Sequence, residues 1–299
     1  MSAALSALSS TDSAPPQHFE IRPFSEAVGA EILGLDLSQA VNAEDFQRIH
    51  RAHLDHHVLV FRDQRITPEQ QIAFSRRFGE LQIHVLKQFL LENHPEILIV
   101  SNIVEEGRNI GLGDAGKFWH SDLSYKALPS LGSMLHAQEL PSEGGDTLFA
   151  DMHKAWEGVP AALREVVQGR SAAHSYTARY AETKFEGNWR PTLTAEQLAQ
   201  VVEVIHPVVR THPETGRAAL FVSEGFTTRI VGLPEDESRD VLQQLYALSV
   251  LPTNVYRHRW QAHDLVFWDN RSLIHLAAGC PAHLRRKLYR TTIQGDAPF

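Results

Sequence analysis

Between residues 19 and 35, apolar side chains alternate with polar ones and are broken by Gly29 and Gly34, which predicts short strands. From Asn42 to Leu54 the apolar spacing becomes that of a helix, with Asn42 placed to cap it. Residues 57–62, HVLVFR, read as a buried strand. Thr67-Pro68-Glu69-Gln70 is a helix start: Thr67 caps, Pro68 takes the first helical position and Gln70 closes a capping box, ahead of Ile72, Phe74 and Phe78. That helix is expected to stop at Gly79. Further short β-rich runs recur at 97–101, 132–138, 147–150, 204–211, 218–222, 256–260, 265–268 and 287–293. Helical patterns lie near 160–168 and 234–249, and a polar insertion at 175–197 is placed to act as a lid over a site.

Many short strands with added helices, rather than an alternating βα pattern, predict a mainly β fold with surrounding helices, a double-stranded β-helix or jelly roll. The length of 299 residues and 43% hydrophobic content suit one domain over 18–299 behind a flexible tail at 1–17. A net charge of −8 without a basic tract argues against nucleic acid or an anionic membrane as partner and leaves a small molecule. No apolar run is long enough to cross a bilayer, and the N-terminus lacks the basic start and apolar run of a secretory signal. The single cysteine, Cys280, cannot form an intrachain disulfide, so the expected location is the cytoplasm.

Chemistry concentrates in Phe118-Trp119-His120-Ser121-Asp122 and, far downstream, in the run from Trp268 to His275. In an extended segment, side chains two residues apart share a side, so His120 and Asp122 can reach one ion. With His275 they compose the two-histidine, one-carboxylate facial triad of mononuclear Fe(II) oxygenases, which leaves coordination positions open for a chelating co-substrate and O2. With 17 histidines in the chain, a purely structural His-X-Asp pair stays open on spacing alone. Eleven residues beyond His275 comes Arg286, and four further comes Arg290. Their even spacing puts Arg286, Leu288 and Arg290 on one side of a strand, either an exposed basic face or an interior face whose guanidinium groups must meet anions. Gly144-Gly145-Asp146-Thr147 reads as a turn entering a strand, with the Thr147 hydroxyl available to a ligand carboxylate. Asp269 and Asn270 read as turn formers before His275.

These segments, together with Phe78-Gly79-Glu80-Leu81-Gln82-Ile83-His84, the run from Glu139 to Leu148, His206-Pro207-Val208-Val209-Arg210-Thr211, the run from Glu224 to Val231 and Gly295-Asp296-Ala297-Pro298-Phe299, resemble the TauD/TfdA family of Fe(II)- and 2-oxoglutarate-dependent dioxygenases. The resemblance covers most of the chain. It implies that His120, Asp122 and His275 bind Fe(II), and that Thr147 and Arg286 hold the distal carboxylate of 2-oxoglutarate. It further implies a substrate-anion pocket from His84, Leu123 and Arg290, with Phe226 and Tyr125 as apolar walls. One position departs from the pattern: Gly116, four residues before His120, stands where the family has an asparagine that contacts taurine.

The implied reaction consumes O2 and 2-oxoglutarate and hydroxylates the carbon beside the sulfonate of taurine or a related organosulfonate, releasing sulfite, an aldehyde, succinate and CO2. Because of Gly116, the same chemistry on an alkyl sulfate or an aryloxyalkanoate is the alternative. A zinc hydrolase is the reading from another class, against which stands the lack of an HExxH helix. The resemblance also implies a homo-oligomer.

Overall fold

Thr67 Oγ1 accepts the Gln70 N–H at 3.3 Å and Gln70 Oε1 accepts the Thr67 N–H at 2.8 Å, so the expected capping box forms and opens the helix Pro68–Arg76. Asn42 likewise caps Ala43–His56 by accepting the Asp45 N–H at 2.8 Å. The computed structural model describes residues 14–24, 28–113, 115–177, 193–199 and 201–299. Among these, an eight-stranded sheet runs in the order Glu20–Pro23, Ala30–Leu33, Val58–Phe61, Leu265–Asp269, Ser130–Glu139, Lys287–Gln294, His94–Ser101, Leu90–Leu91. A three-stranded sheet, Val255–His258, Thr147–Asp151, Leu273–Ala277, is the second layer.

Strand alternation assigns each side chain to a layer. Along Leu265–Asp269, Leu265 and Phe267 pack with Ile49 and Phe74 of the two helices on the outer face. Val266 and Trp268 instead join Phe149 and Leu273 of the smaller sheet, forming the core between the layers. On Lys287–Gln294 the same alternation sends Leu288 into that inter-sheet core and Ile293 toward the helices. This is the expected jelly roll with helices outside it.

The run expected as one strand at 204–211 is two. Val204–Pro207 pairs with Ser171–His174, whereas Val209–Thr211 pairs with Ala218–Leu220. Pro207 has no N–H to continue the ladder, so the chain changes partner there. The strands Ser171–His174 and Thr227–Ile230 and the short helix Met152–Glu157 carried no clear signal in the sequence.

Of the expected tail, residues 1–13 lie outside the described residues; Gln17 donates its backbone N–H to Asp45 Oδ2 at 2.7 Å. Of the expected lid, residues 178–192 lie outside them as well. On its far flank the Gln197 amide donates to the Val85 carbonyl at 3.0 Å, which brings that flank against the segment carrying His84.

Two outcomes follow from this packing. Phe267 is fully buried, with its ring 3.8 Å from that of His53 and 4.6 Å from that of Phe78. Phe267→Ala is expected to lower unfolding free energy by about 3–5 kcal/mol in urea titrations. Burial, with His206 beside it, pulls the His174 imidazole down to about 3. The unfolded chain takes up that proton near the ordinary value of 6.5, so His174 contributes its full stability above that pH and loses it progressively as pH falls toward 3. His174→Phe is therefore expected to lose less stability than the wild type between about pH 7.5 and about pH 5; equal losses would remove His174 as a cause of acid lability.

Candidate active site

His120 and His275 face each other across an antiparallel bridge, the N–H of each donating to the carbonyl of the other at 3.0 and 2.8 Å. Directly opposed residues share a face, and the two imidazole rings lie 4.1 Å apart between centroids. Asp122, two residues on, comes to the same spot: Oδ1 is 3.7 Å from His120 Nε2 and Oδ2 is 3.9 Å from His275 Nε2. All three are buried, and their donor atoms lie within 4.8 Å of one another.

Each donor is prepared for a cation. His120 Nδ1 donates to the Phe118 carbonyl at 2.9 Å, which leaves the Nε2 lone pair on the side of Asp122. Burial, reinforced by His120, keeps His275 neutral well below its ordinary value. Burial alone would push the Asp122 carboxyl up, but the Arg290 charge overcomes it and holds the group well below the usual carboxylate range. A neutral His275, a His120 Nε2 turned toward Asp122 and an ionised carboxylate are what metal binding requires, so these residues fit an Fe(II) ion.

Ser133, which the sequence reading passed over, and Asn270, which it read only as a turn former, position Asp122. Ser133 Oγ donates to Asp122 Oδ2 at 2.7 Å, and Asn270 Oδ1 accepts the Asp122 backbone N–H at 3.2 Å. Asn270 is itself held by Trp268 Nε1 at 3.0 Å and by donation to Ser130 Oγ at 3.1 Å. Asp269, its neighbour, makes the expected turn by accepting the Arg271 N–H at 2.8 Å.

Arg286, Leu288 and Arg290 all point inward, so the strand is not an exposed basic face; the outward Arg285 pairs instead with Glu139 and Glu105. Arg286 is 9% exposed, makes no ion pair among the described residues, and its Nε has no hydrogen-bond partner. Burial pulls its guanidinium down to about 10. A buried cation without a counter-charge is costly, and a bound carboxylate would remove that cost. The guanidinium stands 5.8 Å from the Trp260 ring centroid, and Trp260 Nε1 donates to Thr147 Oγ1 at 3.1 Å. Thr147 and Arg286 are therefore both neighbours of Trp260, a residue not singled out from the sequence. Arg286 opens on a cavity of about 280 Å³ shared with Asn102, Ala277 and Cys280.

The residues expected to hold substrate converge as well. His84, Leu123, Tyr125, Phe226 and Arg290 line one pocket with His120, Asp122 and Gly116. Arg290 Nη1 donates to Asp122 Oδ1 at 3.2 Å, closer to the metal ligands than the sequence suggested. Phe226 stacks edge-on with Tyr125 at 4.8 Å and Phe118 at 5.7 Å, and Tyr176 packs on Tyr125 at 4.9 Å. Phe118 and Tyr176, given no part in the wall from the sequence, thus extend it. Leu123 has φ +58°, a left-handed conformation costly for a bulky residue and often found at functional sites. Gly116 has φ +74°, and a Cβ there would come within 2.9 Å of His120 Cε1.

The model of the family described as taurine catabolism dioxygenase TauD, TfdA matches residues 20–292. Pentalenolactone F synthase of Streptomyces arenae is 35% identical, over 93% of this chain and 96% of its own. The alpha-ketoglutarate-dependent 2,4-dichlorophenoxyacetate dioxygenase of Cupriavidus pinatubonensis is 33% identical, over 92% and 97%. The crystal structure of a taurine dioxygenase from Burkholderia xenovorans superposes with a TM-score of 0.77 at 32% identity, covering 94% of this chain and 90% of that one.

Asp122→Ala is expected to abolish stoichiometric Fe(II) binding, measured by metal analysis after desalting, because two imidazoles alone hold the ion weakly. Gly116→Asn is expected to weaken Fe(II) binding roughly tenfold or more by displacing His120, and not to confer taurine turnover. Unchanged metal affinity in that variant would show that the His120 ring accommodates the side chain.

Proposed function

The chain belongs to the taurine catabolism dioxygenase TauD, TfdA family, and we propose that it hydroxylates a small organic anion with an apolar body, seated by Arg290 and His84 beside His120, Asp122 and His275. It is an Fe(II)- and 2-oxoglutarate-dependent dioxygenase, which sets aside the zinc hydrolase. When bound, the iron and its co-substrate supply the means of activating O2 for C–H hydroxylation. In our reading residues 18–299 form one catalytic domain, supported by the family match over 20–292. A cytoplasmic location accords with the single cysteine and the small anionic substrate.

The protein's own residues then have distinct tasks. His120, Asp122 and His275 hold the metal, and Ser133 and Asn270 keep the Asp122 carboxylate turned toward it. Thr147 and Arg286 take the distal carboxylate of 2-oxoglutarate. Arg290 and His84 hold the head of the substrate, while Phe118, Tyr125, Tyr176 and Phe226 pack its body and exclude water.

The observation that carries the substrate reading is a buried arginine inside an aromatic wall. Of the described residues lining that pocket, Asp122 is the one carboxylate, and the metal claims it. The ammonium of taurine meets no second carboxylate among the described residues there, and Gly116 offers no side chain in place of the family's asparagine. An aryloxyalkanoate, an alkyl sulfate or a simple alkanesulfonate matches the pocket better. The 2,4-dichlorophenoxyacetate dioxygenase relative supports the first of these.

Purified protein supplied with Fe(II), 2-oxoglutarate and O2 should form succinate in step with phenol from phenoxyacetates, sulfate from alkyl sulfates or sulfite from alkanesulfonates. Taurine-specific sulfite release, with none of the others above background, would overturn the preference for an apolar body. Arg290→Ala is expected to lower kcat/KM for the anion at least about 30-fold, the effect of truncating one partner of a buried charge pair, while slow substrate-independent succinate formation persists. A raised requirement for 2-oxoglutarate alone would instead reverse the roles of the two arginines.

A further inference from the structure

We propose that Cys280 is a modification site for electrophiles that carry a carboxylate, drawn to it by Arg286 in the cavity the two share. This rests on reading that cavity as the 2-oxoglutarate site. Cys280 is half-buried, and it is the one cysteine of the chain. Its Sγ accepts the Asn102 Nδ2–H at 3.6 Å, while Asn102 Oδ1 accepts the Arg286 backbone N–H at 2.9 Å. One amide thus joins the thiol to the strand entry that carries the arginine. Gly145 donates its N–H to the Gly279 carbonyl at 2.7 Å, which ties the turn leading to Thr147 against the segment bearing Cys280.

The arginine is what turns a lone thiol into a site. Its guanidinium is nine-tenths buried, faces the cavity and has no counter-ion among the described residues. A small carboxylate entering for that charge is carried past the thiol. If the carbon beside its carboxylate bears a halide, Sγ attacks that carbon: the S–C bond forms as the C–halogen bond breaks, the halide leaves with the bonding pair, and the thiol proton passes to solvent. The adduct leaves a tethered carboxylate on Arg286, where it blocks the co-substrate.

Iodoacetate and the neutral iodoacetamide separate this from ordinary thiol exposure. Their rates of reaction with the full-length protein are read by intact mass and peptide mapping, and the ratio is compared with that for free cysteine. The iodoacetate:iodoacetamide ratio is expected to rise at least about tenfold over free cysteine, in line with anion focusing by a positive cleft. It should fall back in Arg286→Met, and 2-oxoglutarate with Fe(II) under argon should slow iodoacetate labelling. No labelling, a ratio equal to that of free cysteine, or a raised ratio that survives in folded Arg286→Met would overturn the proposal; if that variant does not fold, the wild-type ratio decides. A raised, Arg286-dependent ratio with no protection by 2-oxoglutarate would uphold the Cys280 site and sink the co-substrate reading instead. Calorimetry of 2-oxoglutarate on the same protein shows whether that ligand binds at all.

Discussion

The antiparallel bridge between His120 and His275 is the constraint from which the site is built. Two backbone hydrogen bonds join residues far apart in the chain and leave their side chains no choice but the same face. Asp122 follows by the period-two rule, and its carboxylate arrives between the two imidazoles. The strand Leu273–Ala277 is held on its other side by Thr147–Asp151, so the bridge is an extension of a sheet rather than a loop contact. Rigidity of the donors comes from that ladder, which suits a metal centre whose open positions must stay open.

Charge burial is the second theme, and alternation along a strand decides who meets whom. At the end of Leu265–Asp269, Asp269 points to the helix side, where Arg271 at 2.7 Å and His212 at 3.0 Å share its carboxylate. Asn270, the next residue, points the other way and holds the Asp122 backbone. One tight turn therefore supports the packing of the outer helices and the orientation of the metal carboxylate. Arg271 extends the outer network to Glu214 at 2.7 Å, so no charge in it stands alone. Arg286 differs in having no such partner among the described residues.

The aromatic wall gives the substrate side its character. Phe118, Tyr125, Tyr176 and Phe226 form a cluster apart from the main cores, next to His120. Leu123 sits in the same cluster in a strained left-handed turn immediately after Asp122, so the metal segment and the pocket wall are one continuous piece of chain.

Local chemistry was readable before folding: the caps at Asn42 and Thr67, the strand periods, the two-residue spacing of His120 and Asp122, and the even spacing of Arg286, Leu288 and Arg290 each depend on neighbours within a few positions. Family-specific motifs added the roles expected of Thr147 and His84. Hidden from such reading were the tasks of Ser133, Asn270 and Trp260: Asn270 and Trp260 acquire theirs from contact with Asp122 and Thr147, more than a hundred positions away, and Ser133 acquires its own only when the folded chain turns it toward Asp122. The strand Ser171-Ala172-Ala173-His174 was hidden for a related reason, since its small residues become extended through pairing on both edges. Whether the arginine face was solvent or interior, and whether Gly116 was free space or a backbone pressed on His120, was likewise decided by the tertiary fold: burial and close approach are properties of pairs of distant segments, and no local pattern encodes them.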